Sequence, residues 1–148
     1  MRELPGKIAA HAEVSPQCVA IDNLVASITY AQLIHDVYSL SSQISRECTG
    51  ILLGNGIEWV ICDLALLNTS TCNVPLPVFF SNEQIHHVIQ DAGIKQIITD
   101  NPKRISDICT VIKQSKLSVN NVELSLVVID NYPVAISDEI VKYLEAVV

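Results

Sequence analysis

The order of segments between Gly50 and Asp100 constrains this chain most: short apolar runs alternate with stretches of helical periodicity. Gly50 to Gly54 (GILLG), Cys72 to Phe80 (CNVPLPVFF) and Lys95 to Thr99 (KQIIT) read as strands, with helices between them. Strands joined by helical crossovers lie parallel, because each helix returns the chain to the edge it left and covers the sheet face. The expected fold is α/β: a three-layer, open, mostly parallel sheet with helices on both faces. Pro75 and Pro77 cannot donate to a ladder, so their strand must be short or bend out near its C-terminal end. A bend there would place Phe79 and Phe80 beside a crevice at the strand ends.

The flanking segments extend this frame. Leu4 to Ala12 forms a first helix that Pro16 prevents from continuing. Cys18 to Asp22 and Val25 to Thr29 make a short N-terminal hairpin around Asn23-Leu24, although the favoured Asn-Gly turn is missing. Thr29 caps a helix to about Ser45, with Leu33, Ile34, Val37, Leu40 and Ile44 at helical spacing. Ile57 to Asn68 is helical and apolar almost all round, which calls for cover on both sides. Ser81 with Gln84 forms a capping box for the next helix, and Gly93 ends it with a left-handed residue. Asn101-Pro102 opens a further helix carrying Ile105, Ile108, Cys109 and Ile112. Glu123 to Asp130 reads as another strand, and Ser137 begins a last helix. No linker or repeat divides residues 1–148, so one domain is expected.

The wording from about Ile8 to about Asp100 resembles the N-terminal part of the adenylate-forming, AMP-binding superfamily. That superfamily includes acyl-CoA synthetases, luciferases and the adenylation domains of peptide synthetases. The resemblance rests on Thr29-Tyr30-Ala31-Gln32-Leu33, on Leu64 to Leu76 (LALLNTSTCNVPL), and on VPLPVFFS followed by QIHHVIQDAGI, which is similar to acyl-CoA synthetases. It implies ATP-dependent activation of a carboxylate in the complete enzyme, followed by transfer to a thiol, with ATP, Mg and CoA as its cofactors. Two departures stand out. Ser70 occupies a turn where family members usually carry glycine, so that turn must tolerate a side chain. The Ser/Thr/Gly-rich phosphate loop ending in Pro-Lys is missing: the five glycines are Gly6, Gly50, Gly54, Gly56 and Gly93, unclustered, and only Gly6 precedes a lysine.

The expectation is therefore a scaffold subdomain of an acyl-CoA-synthetase-like ligase, itself inactive. No catalytic, cofactor-binding or metal-binding residue is assigned, and only Phe79 and Phe80 are placed near substrate. The expected partner is the remainder of the synthetase, a partner subunit, or a second copy meeting an apolar face, since a hydrophobic fraction of 49% and mean hydropathy of +0.37 are high. The alternatives are a non-enzymatic interaction module derived from such an enzyme, and an unrelated α/β domain holding a nucleotide or flavin at Gly54.

Charge and composition exclude several classes. A net charge of −7, with nine Lys and Arg in no run longer than two, argues against nucleic acid as a partner. No apolar stretch is long enough to span a bilayer, and Met1 to Lys7 lacks the core of a signal peptide. Five cysteines without C-x-x-C spacing fit reduced thiols and a cytoplasmic location. His86 and His87 are adjacent on a helix and cannot share a metal in the i, i+4 manner. Gly54-Asn55-Gly56 lacks the third glycine of a dinucleotide loop, which favours a plain turn. Cys62 and Cys72 have no histidine partner that would mark a nucleophile, and buried thiols are common in cores.

Overall fold

The structure, a computed structural model, describes residues 3–111, 118–119 and 122–129. The chain begins with helix α1 (Glu3–Val14), the hairpin β1 (Val19–Asp22) and β2 (Ser27–Thr29), and helix α2 (Tyr30–Ser41). Next come β3 (Thr49–Leu52), α3 (Ile57–Asn68), β4 (Asn73–Pro75), α4 (Asn82–Ala92), β5 (Gln96–Thr99) and α5 (Pro102–Val111). Two short pairing strands, β6 (Ser118–Val119) and β7 (Val122–Glu123), precede β8 (Ser125–Val128).

Four strands form one sheet in the order β4-β3-β5-β8, and every neighbouring pair is parallel. Helices cover both sides of it. Side chains alternate across the strands with a period of two. Ile51, Leu53 and Ile98 enter one core with Leu33 and Val37 of α2 and Ile61, Cys62 and Ala65 of α3. Leu52 and Ile97 enter the other with Ile85 and Ile89 of α4 and Ile105 and Ile108 of α5. Gly50 sits where a Cβ would lie 2.8 Å from Leu76 Cδ1 and 3.2 Å from Ile94 Cδ1, so its bare backbone lets two aliphatic side chains close over the strand.

Local chemistry explains the boundaries. The hairpin turn lacks Asn-Gly, and side chains replace it: Asn23 Oδ1 accepts from the Val25 and Ala26 amides at 3.0 and 2.7 Å, and Asp22 Oδ1 from Leu24 at 2.8 Å. These bonds hold Leu24 at φ 74°, a left-handed conformation that leucine rarely adopts. The capping box at Ser81 and Gln84 is formed, and Gly93 closes α4 at φ 67°. Asn101 Oδ1 accepts from the Arg104 amide at 3.2 Å at the start of α5.

Two expected boundaries are corrected, and the expected shortness of the Pro-containing strand is borne out. Helix α2 stops at Ser41 rather than near Ser45, because the Ser41 and Ser42 hydroxyls donate back to the carbonyls of Val37 and Ser39, at 2.7 and 2.6 Å, and the Ser45 amide donates to Gln96 Oε1. The Pro-containing strand is three residues long, ending at Pro75 with the Leu76 amide donating to Ile51 O at 2.8 Å. The strand expected over residues 123–130 is split at Leu124, which turns into the second core. The helix expected from Ser137 and the side chains of Cys109 and Ile112 lie outside the described residues.

A candidate substrate crevice at the strand ends

Beyond the C-terminal ends of β3 and β4 the structure opens a cavity of about 240 Å³. Leu53, Gly54 and Asn55 line it from the end of β3, Trp59 from the first turn of α3, and Pro75 to Phe79 from the chain leaving β4. The two prolines end the ladder, so the chain leaves the sheet here. Phe79 reaches this cavity and is 83% exposed. Phe80 turns the other way, packs against the second core and borders a broad surface groove with Ser81, Gln84 and His87. The two rings still touch edge to face, with centroids 5.4 Å apart and planes at 82°.

The reversal of strand order falls between β3 and β5, where open α/β sheets normally hold ligands. The cavity lies one gap over, between β3 and β4, because the early departure of the chain at Pro75 removes the strand that would fill that space. Its lining side chains are apolar except for Asn55. At about 240 Å³ it falls short of the roughly 300–1,000 Å³ that encloses a drug-sized ligand. It is one wall of a site, suited to an apolar group.

Arg104 fixes the loop that carries both phenylalanines. From the first turn of α5 its Nη1 donates to Val78 O at 2.8 Å, its Nη2 to Phe80 O and its Nε to Asn82 Oδ1 at 3.3 Å. Sequence reasoning did not find this residue, since its partners are 22 to 26 positions away. Trp59 was also missed; as the one tryptophan of the chain, in the first turn of a helix that follows a strand and a glycine turn, it carried a readable signal.

The glycine turn does not fit a phosphate. Gly56 caps α3 without a side-chain bond, and a Cβ there would lie 2.7 Å from Glu58 Oε1, so the Glu58 carboxylate is folded over the helix terminus. Glu58 is 4% exposed and its Oε2 has no protein partner. A carboxylate is favoured at this positive end of the helix. A phosphate brought to the same place would meet a buried like charge.

Other candidates resolve into structure. Burial first, then the negative charges of Glu58 and Asp63, push the Cys62 thiol up to about 12, so it stays protonated inside the core. His86 Nε2 is buried without a partner, and desolvation, reinforced by the charge of His87, lowers its pKa. Among the described residues no group of three or more His, Cys, Asp or Glu could hold a metal ion, and no helix is long and apolar enough to cross a membrane.

A profile of the family described as AMP-binding enzyme matches residues 8–143. No curated protein matches the chain in sequence. Solved structures resemble it in fold. A Mycobacterium tuberculosis fatty acyl CoA synthetase superposes with a TM-score of 0.64 at 15% identity over 99% of this chain and 28% of its own. The N-terminal domain of FACL13 from the same organism gives 0.64 at 14% identity, over 96% and 35%. The Klebsiella oxytoca NpsA N-terminal subdomain, in complex with 3-hydroxybenzoyl-AMSN, gives 0.58 at 24% identity, over 66% and 26%. The chain therefore spans about a quarter to a third of these three structures.

Proposed function

The chain belongs to the AMP-binding enzyme family, and from that premise we propose that it is the opening scaffold layer of an acyl-CoA-synthetase-like ligase. In this reading the complete enzyme activates a carboxylate with ATP and passes the acyl group to a thiol. Its ATP, Mg and CoA sites belong to other parts of that enzyme, and residues 1–148 act as a single domain without catalysis of their own. The observation that carries the reading is the apolar crevice at the ends of β3 and β4, with Phe79 exposed on its rim. We assign that crevice to the carbon skeleton of the acid, with Trp59 and Phe79 against it and Phe80 one step removed. The Glu58 carboxylate beside the glycine turn supports the further point that phosphates are held elsewhere. The free thiols of Cys18, Cys48, Cys62 and Cys72 favour a reducing, cytoplasmic setting.

Trp59 provides the test, because it is the sole indole and lines the crevice. Titration of the 148-residue protein with octanoate is expected to shift Trp59 emission, and Phe79→Ala to weaken that response several-fold. A flat titration would overturn the assignment of the crevice. Carboxylate-dependent ATP–pyrophosphate exchange by the chain alone would overturn the scaffold role.

The exposed pair Val78 and Phe79 also favours a second reading, a non-enzymatic module that docks on the remaining part of a synthetase, a partner subunit or another copy of itself. Co-purification with such a partner that Phe79→Ser abolishes, in a protein that ignores octanoate, would select it.

A further inference from the structure

The parallel ladder at the opposite end of the sheet brings together two cysteines that are far apart in sequence. Thr49 of β3 faces Asn73 of β4, so the preceding residues, Cys48 and Cys72, occupy the next pair of positions. Neighbouring strands lie roughly 4.8 Å apart, within the roughly 4.4–6.8 Å between Cα atoms that a disulfide requires. Both backbones are pinned there. The Thr49 amide donates to Cys72 O at 3.0 Å, and Cys48 O accepts from the Lys95 and Gln96 amides at 2.9 and 3.3 Å. The Cys48 thiol donates to Ala92 O at 3.6 Å. Cys72 is exposed and Cys48 is half-buried.

We infer that Cys48 and Cys72 form an oxidisable dithiol, a modification site that reacts with a low-molecular-weight disulfide such as glutathione disulfide and closes into an intramolecular bond. The exposures assign the order of events. Exposed Cys72 loses its proton to water and its thiolate attacks one sulfur of glutathione disulfide; that bond breaks, and one glutathione leaves as thiolate and is protonated by water. Cys48 then gives its proton to water and attacks Sγ of Cys72 in the mixed disulfide, and the second glutathione leaves. The protein dithiol is oxidised by two electrons and one glutathione disulfide is reduced to two glutathiones. Burial first, and then the neighbouring Cys72, hold the Cys48 thiol above its ordinary pKa, which suits the resolving rather than the attacking role. Cys62, buried in the core, takes no part.

The test treats the fully reduced chain with millimolar glutathione disulfide, quenches with iodoacetamide, and maps peptides by mass spectrometry. A Cys48–Cys72 cross-link that dithiothreitol reverses is expected as the dominant product. The Cys48→Ser protein should instead accumulate glutathione on Cys72, and Cys72→Ser should leave Cys48 alkylated but unglutathionylated. Phenylarsine oxide, which chelates closely spaced thiol pairs, should protect both cysteines of the wild type from alkylation and neither remaining cysteine in the single variants. Stable glutathionylation of Cys72 in the wild type without closure, or pairing of Cys72 with Cys18 or Cys109 instead, would overturn the inference.

Discussion

The two ends of the sheet are held by side chains that make similar bonds in opposite surroundings. At the N-terminal end, Gln96 is 2% exposed; its Nε2 donates to Thr49 Oγ1 at 2.8 Å and to Ser45 O at 3.2 Å, and its Oε1 accepts from the Ser45 amide and hydroxyl, both at 3.1 Å. At the C-terminal end, Arg104 makes three side-chain bonds, two to the loop after β4 and one to Asn82 at the start of α4, at the rim of the crevice. A buried polar group must be satisfied by protein, whereas one at a rim can fall back on water. The closed end therefore secures the sheet, and the open end orients a loop at small energetic cost. The crevice and the exposed Phe79 lie at the end that can yield.

The largest expected effect is at the closed end. Gln96→Ala removes four bonds, strips the buried Thr49 hydroxyl of its donor and leaves a void, and should lower unfolding free energy by about 2 kcal/mol, read from urea midpoints. Arg104→Ala frees carbonyls that water can reach, so its cost should be about 1 kcal/mol. Its signature should instead be local: faster amide exchange over residues 78–82 and an altered Trp59 emission. Equal global costs for the two variants would break the contrast between closed and open ends.

Those same long-range bonds mark where the sequence stopped being readable. The parallel sheet was legible because apolar runs and helical spacing are local patterns, and so were the Ser81 box, the Gly93 stop and the short Pro75 strand. Helix α2 was overextended because Gln96, which takes the Ser45 amide, stands 51 residues away. Register between β3 and β4 is likewise absent from local pattern, so the meeting of Cys48 with Cys72 was invisible. At the crevice, the phenylalanine pair could be named but not oriented: only the folded structure separates Phe79 at the cavity from Phe80 at the second core. Glu58 was hidden for a different reason, since an acidic residue in a first helical turn ordinarily faces solvent.

Two backbone positions refine the comparison further, because both lie in turns that enter the sheet. Gly93 has φ 67°, and a Cβ added to it would meet nothing within 4 Å, so Gly93→Ala introduces conformational strain alone and should cost about 1 kcal/mol. Ser70 adopts φ 55°, a left-handed conformation that glycine takes without strain, and Ser70→Gly should therefore stabilise by about 0.5 kcal/mol, the relief of strain being partly offset by a more flexible unfolded chain. Opposite signs in paired thermal melts are expected. A destabilising Ser70→Gly would show that the Ser70 side chain holds the turn.

The smallest effect separates a satisfied buried group from an unsatisfied one. Gln96 has partners for its whole amide, whereas His86 Nε2 is buried with none, and desolvation followed by the charge of His87 lowers the His86 pKa. The folded chain therefore binds a proton at His86 less readily than the unfolded chain does. Above the ordinary value of 6.5 both states are neutral and nothing is lost; as pH falls from there through the lowered folded value, the unfolded state takes up the proton first and stability declines. Urea midpoints measured from pH 7.5 down to 5 should fall less steeply for His86→Gln than for the wild type, and His87→Gln should remove a smaller share of that slope because desolvation is the larger cause. If His86→Gln kept the wild-type slope, protonation of His86 would be costless, and the ring would have to reach water that the folded structure denies it.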